Sequence, residues 1–89
     1  MSEIGSDDEM ATYTQVDKIA KRFAAAMGEP EHRAIRVLAD VVGRDYSSVY
    51  RWTYPDGTDG LVPNKAVPDV LAAAERNGVE LSDSDWRPL

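Results

Sequence analysis

The chain has 89 residues, with sixteen acidic and ten basic side chains, a formal net charge of −6, one histidine and no cysteine. Such a length fits one domain with roughly 65–75 folded residues. The missing cysteines exclude disulfides and thiolate metal sites, and the single His32 argues against a histidine-based metal or catalytic centre. No apolar run of about seven residues sits near the start, as a secretory leader would require. None approaches the roughly 20 apolar residues of a membrane span, so a cytoplasmic location is expected.

Acidity is concentrated at the two ends. Residues 1–12 carry Glu3, Asp7, Asp8 and Glu9 and no base, whereas residues 70–89 carry four acids against Arg76 and Arg87. Residues 13–69 hold eight acids and eight bases and are therefore neutral. The first twelve residues are polar and aperiodic, the pattern of a disordered acidic tail.

Folded structure is expected from residue 13. Thr14, with Asp17 three residues on, makes a relaxed capping box. Val16, Ile19, Ala20, Phe23, Ala24 and Met27 then recur at helical spacing, so a first helix is predicted over about 14–27, closed by Gly28. Lys18, Lys21 and Arg22 fall on its wet side. Pro30 opens a second helical stretch that ends at Val42–Gly43. Its apolar residues, Ala34, Ile35, Val37, Leu38, Ala39, Val41 and Val42, cover more than one face, which makes it the central helix.

A third helix is predicted over about 46–54, with Asp45 as N-cap, its carboxylate accepting from the amide of Ser47 or Ser48, and Tyr54–Pro55 as the stop. Asp56–Gly57 and Asp59–Gly60 read as a turn-rich loop. A fourth helix is predicted over about 64–77, with Pro68 confined to its first turn and Gly78 as the cap. Val79 and Leu81 fold back on the core, and Ser82–Trp86 adds a short helical turn. The domain is drawn over residues 13–82, with 83–89 as a C-terminal tail.

Ala39, Gly43, Val49 and Trp52 form the specific constellation. Two helices crossing at ~90–120° through a short turn need a small residue at their closest approach, which Ala39 supplies. Gly43 can take the left-handed conformation that ends the second helix. Val49 and Trp52 point back at Leu38, Ala39 and Val42. The other side of the third helix then carries Ser47, Tyr50, Arg51 and Tyr54, bordered by Tyr46. That combination suits a DNA major groove, with Arg51 forked onto a guanine edge and tyrosines against thymine methyls or phosphates. Base contacts are expected from Tyr46, Ser47, Tyr50 and Arg51. Backbone contacts are expected from Arg33, Arg36, Arg44, Ser48 and Tyr54.

The stretch IRVLADVVGRDYSSVYRW resembles the helix-turn-helix of Cro and lambda-repressor-like phage and prophage regulators. The continuation, LVP, NKAVP, DVLAAAERNG and VEL, is similar to small prophage proteins of the YdaS type. Together the resemblance covers about residues 14–82. It implies an all-α, compact four- to five-helix lambda-repressor-like fold. It also implies sequence-specific binding of double-stranded DNA in a bacterium or phage-infected host, typically by a homodimer on an inverted repeat. By analogy Asp45, Tyr46 and Ser47, then Tyr50 and Arg51, would read bases. Arg44 departs from the family, which commonly has an aliphatic residue after the glycine, and so does the overall acidity.

No paired carboxylates, Ser/His/Asp set or phosphate-cradling glycine loop stands out, so no enzymatic role and no cofactor are expected. The alternative is a protein-interaction module on the same fold, such as an antirepressor, an antitoxin or a DNA mimic, which the net charge favours.

Overall fold

The computed structural model of the chain describes residues 13–86. The expected acidic tail of residues 1–12 and the last residues of the expected C-terminal tail lie outside that range. Among the described residues every regular element is helical: α1 Gln15–Ala26, a 3₁₀ turn Glu31–Arg33 leading into α2 Ala34–Val42, α3 Tyr46–Arg51, a second 3₁₀ turn Asn64–Ala66 leading into α4 Val67–Asn77, and α5 Asp83–Trp86. No helix among the described residues is long and apolar enough to cross a membrane.

The apolar stripe of α1 is buried as its spacing predicts: Val16, Ile19, Ala20, Phe23 and Ala24 have no exposed surface. The stripe ends sooner than expected, because Met27 is about half exposed beyond the last helical turn. α2 is the central element, packed against α1, α3 and α4. It contributes Ala34, Val37, Leu38 and Ala39 to the core, while Ile35, Val41 and Val42 pack around it. Val49 and Trp52, Val62, Ala66, and Val70, Ala73 and Ala74 complete that core.

The α2–α3 connection turns on one residue. Gly43 has φ +73° and ψ +33°, the left-handed conformation, and its amide and that of Arg44 bond back to Asp40 and Ala39 at 3.3 and 3.0 Å. This is a Schellman termination, and it satisfies carbonyls that the end of α2 would otherwise leave open. α1 and α4 end in the same bonding pattern, at Gly28 and Gly78. Pro68 lies in the first turn of α4, where its missing N–H costs no helical bond.

Two expected caps are absent. Neither Thr14 nor Asp45 makes a side-chain capping bond. The first turn of α1 is bonded from elsewhere: the Val16 amide donates to the Gly60 carbonyl at 2.8 Å, and Tyr13 N–H donates to Asp59 at 3.2 Å. The loop after α3 thereby takes the place of the Thr14 cap. At Asp45 the backbone is extended, as an N-cap requires, but only its carbonyl joins the helix, accepting from Val49 at 3.2 Å.

α5 lies inside the stretch that the sequence set aside as a tail, and it is docked against α1. Its first turn is closed by Asp85, which accepts from the Ser82 amide at 2.9 Å and the Ser82 hydroxyl at 3.2 Å. Arg22 of α1 reaches the same carboxylate at 3.2 Å. Burial pushes the Asp85 carboxyl up, but the bonds from Ser82 and Arg22 outweigh it and hold the group below the ordinary carboxylate range. Its surface is covered, yet it sits near the edge of the fold, where water still screens the pair.

Candidate functional site

α3 is short, six residues, and its geometry depends on what grips its two ends. The expected helix to residue 54 tightens after Arg51. Trp52, Thr53 and Tyr54 donate to carbonyls three residues back, at 3.0 to 3.1 Å, rather than four. The Thr53 hydroxyl also bonds to the Tyr50 carbonyl at 2.6 Å. The reason lies in the following loop. The Trp52 carbonyl is taken by the Gly60 amide at 2.6 Å and the Thr58 hydroxyl at 3.2 Å, so it is not open to a continuing helix. Gly57 packs its backbone directly on the end of α3, where a Cβ would overlap the carbonyl of Arg51.

With Val49 and Trp52 buried, a helix of 3.6 residues per turn places Ser47 and Arg51 at the outer crest of α3. Tyr46 and Tyr50 lie along one flank and Ser48 on the other. The tyrosines form a continuous ridge. Tyr46 and Tyr50 meet edge to face at 5.5 Å between centroids, and Tyr50 and Tyr54 do so at 5.4 Å. All three remain about 40% exposed, and Ser47, Ser48 and Arg51 are exposed. The tightened turn therefore keeps Tyr54 in line with the other rings.

The three tyrosines line an open groove of about 440 Å³ together with Tyr13, Asp17, Glu31 and Ile35. Arg36 extends the ridge from α2, its guanidinium 4.6 Å above the Tyr46 ring. Such a contact stabilises an exposed cation by about 0.5–1 kcal/mol and fixes where its charge sits.

The other two arginines stand differently. Arg33 is held by Glu29 at 3.6 Å, one helical turn earlier in the chain. Arg44 is turned toward α4, where its Nη2 meets Asp69 at 2.8 Å, with its guanidinium 5.9 Å from the Trp52 ring. Arg36 and Arg51 make no ion pair with another described residue. The expected site residues thus divide. Tyr46, Ser47, Tyr50, Arg51, Tyr54 and Arg36 form one surface. Ser48 flanks it, and Arg33 and Arg44 are engaged with carboxylates.

Of Lys18, Lys21 and Arg22 on the wet face of α1, two are also paired. Lys21 bonds to Asp17 at 3.2 Å, which raises its affinity for its proton, with Glu31 adding to the effect. Arg22 is the partner of Asp85.

Two positioning residues escape the sequence reading. Asp69 has no local signal, because the pairing spans 25 residues. Gln15 has one: it is a polar residue, four before Ile19, on the buried stripe of α1. Its carbonyl oxygen accepts from the Val62 amide at 2.7 Å and its amide donates to the Trp86 carbonyl at 2.5 Å. Among the described residues no three or more of His, Asp and Glu converge to hold a metal ion.

No family model, no curated protein and no solved structure matches the chain.

Proposed function

We propose that the chain is a sequence-specific double-stranded DNA-binding regulator of the Cro and lambda-repressor-like kind. In this reading α2, the Gly43 bend and α3 form its helix-turn-helix, and α3 enters the major groove. The observation that carries this reading is the outward ridge of Tyr46, Tyr50 and Tyr54 beside Arg51, on a short helix whose opposite face is buried through Val49 and Trp52. Three aromatic rings and a cation without a carboxylate partner among the described residues make a surface suited to base edges. Arg51 supplies paired donors for guanine O6 and N7, and Tyr46, Ser47 and Tyr50 lie beside it. Arg36, stacked over Tyr46 beside the ridge, would meet a phosphate strand passing the flank of the helix, and Tyr54 and Ser48 offer hydroxyls to the backbone. The protein acts as a homodimer on an inverted repeat, with half-sites about 34–36 Å apart.

The net charge of −6 favours a second reading, a protein-interaction module on the same fold, such as an antirepressor, an antitoxin or a DNA mimic. A mimic presents contiguous acid where a DNA binder presents bases, and Arg36 and Arg51 weigh against it on this face.

The deciding experiment is selection of duplexes from a randomised pool by the wild-type chain, followed by binding measurements with Tyr50→Ala and Arg51→Ala. Enrichment of a defined sequence is expected. Arg51→Ala should cost about 1–3 kcal/mol on it and relax preference at one base pair. Equal binding of the enriched and a shuffled duplex at moderate salt would exclude the proposal.

A further inference from the structure

We infer that Asp69 sets how sharply this surface discriminates between DNA sequences, by holding Arg44 away from phosphate until the complex is fully seated. The inference rests on the DNA-binding reading above and adds to it a residue outside the helix-turn-helix.

Arg44 immediately precedes the N-cap of α3, at the turn where a duplex backbone would pass. It is nevertheless committed elsewhere, 2.8 Å from a carboxylate of α4. That helix is itself anchored to the same corner, because Arg76 donates from Nη2 to the Val41 carbonyl at 2.9 Å. α4 therefore contacts the chain on both sides of the Gly43 bend, and Asp69 is presented to Arg44 from a helix packed on α2. The pair is also open to exchange. Its side chains are 36% and 50% exposed, so water and an incoming anion reach both. A phosphate offers a guanidinium the same two-pronged acceptor that a carboxylate does.

On an unmatched duplex, binding comes almost wholly from cation–phosphate contacts. If Arg44 stays with Asp69 there, the chain forgoes one such contact. Were Arg44 to transfer, Asp69 would be left as a bare carboxylate beside the phosphate strand. A matched duplex adds base contacts through Tyr50 and Arg51, and these draw the backbone close enough for the transfer. Asp69 therefore weakens unmatched binding more than matched binding.

The test compares the duplex enriched by the wild-type chain with a shuffled duplex of equal length, over a range of salt. The chains are wild type, Asp69→Asn, Arg44→Gln and the double variant, each checked for folding by circular dichroism. On the shuffled duplex, Asp69→Asn should steepen the dependence of log affinity on log salt by about 0.9 for each bound chain, roughly eightfold per decade of salt and chain. On the enriched duplex the slope should stay as in the wild type, and Arg44→Gln should lower it by about 0.9 for each bound chain. In the Arg44→Gln background, Asp69→Asn should leave both slopes unchanged. Equal steepening on both duplexes, or steepening without Arg44, overturns the inference while leaving the DNA-binding reading intact. If the wild type enriches no duplex, that reading fails and the inference with it.

Discussion

Gln15 joins the first turn of α1 to two segments far away in the chain, Val62 at the end of the loop after α3 and Trp86 in α5. The cost of removing it is set by what is left behind, since a buried N–H without a partner loses its hydration and gains nothing in return. Gln15→Leu keeps the side-chain volume close but strands the Val62 amide. It should lower stability by about 1–3 kcal/mol in urea unfolding at neutral pH. A change within about 0.5 kcal/mol, the range of an ordinary surface substitution, would mean that water or a shifted backbone replaces the bond. The sequence offers half of this account: a polar residue on an apolar stripe is visible, but its partners are not. Gly57 is similar. Asp56–Gly57 reads as a turn, yet the need for glycine comes from contact with the Arg51 carbonyl, which depends on how the loop folds back.

At the level of elements, periodicity located α1, α2 and α4 to within a few residues, and the glycines at 28, 43 and 78 end them as expected. These features are local: an apolar stripe at helical spacing buries one face, and a left-handed glycine closes the last turn. α3 was less legible because its last turn depends on the loop after it, not on its own propensity. Trp52 keeps its inward direction, but its carbonyl is bonded to Gly60 and Thr58. α5 reads from the sequence as a helical turn outside the domain, since nothing local reveals that Arg22 and Gln15 hold it.

That seam has a pH signature. The Asp85 carboxyl is held below its ordinary value, so it binds a proton less tightly in the folded chain than in the unfolded one. Its contribution is complete above the ordinary value of 3.8 and is lost as the pH falls through the lower, folded value. Asp85→Asn should be less stable than wild type at pH 7 by about 0.5–1.5 kcal/mol, the size of one net hydrogen bond. Wild type and variant should converge as the pH drops below about 4. Parallel stability curves across that range, followed by urea midpoints, would show that Asp85 does not titrate with folding.

At the scale of the whole molecule, the proposed function requires a chain of net charge −6 to approach another polyanion. Placement helps: residues 13–69, which include the tyrosine ridge, α2 and α3, are neutral in sum. The cations there are not equally available. Arg36 and Arg51 stand on the candidate surface, whereas Arg33 and Arg44 must first leave Glu29 and Asp69. The engagement of Arg44 cannot be read from the sequence, because Asp69 lies 25 residues from it.

Salt dependence counts the available cations, since each phosphate neutralised contributes about 0.9 to the slope of log affinity against log salt. In the proposed homodimer Arg51 reads a base, so phosphate contact by Arg33, Arg36 and Arg44 of both chains would give at most about 5.4, and Arg36 alone from each chain about 1.8. The expected value on a selected duplex lies between these limits, with weak binding to unrelated DNA at physiological ionic strength. Fluorescence anisotropy across a decade of salt measures it. A slope near zero would remove phosphate contact, and with it the duplex as the partner of this face. A slope steeper than about 6 would bring in cations beyond those six, and Lys18, Lys21 and Arg22 on α1 would then be the residues to substitute.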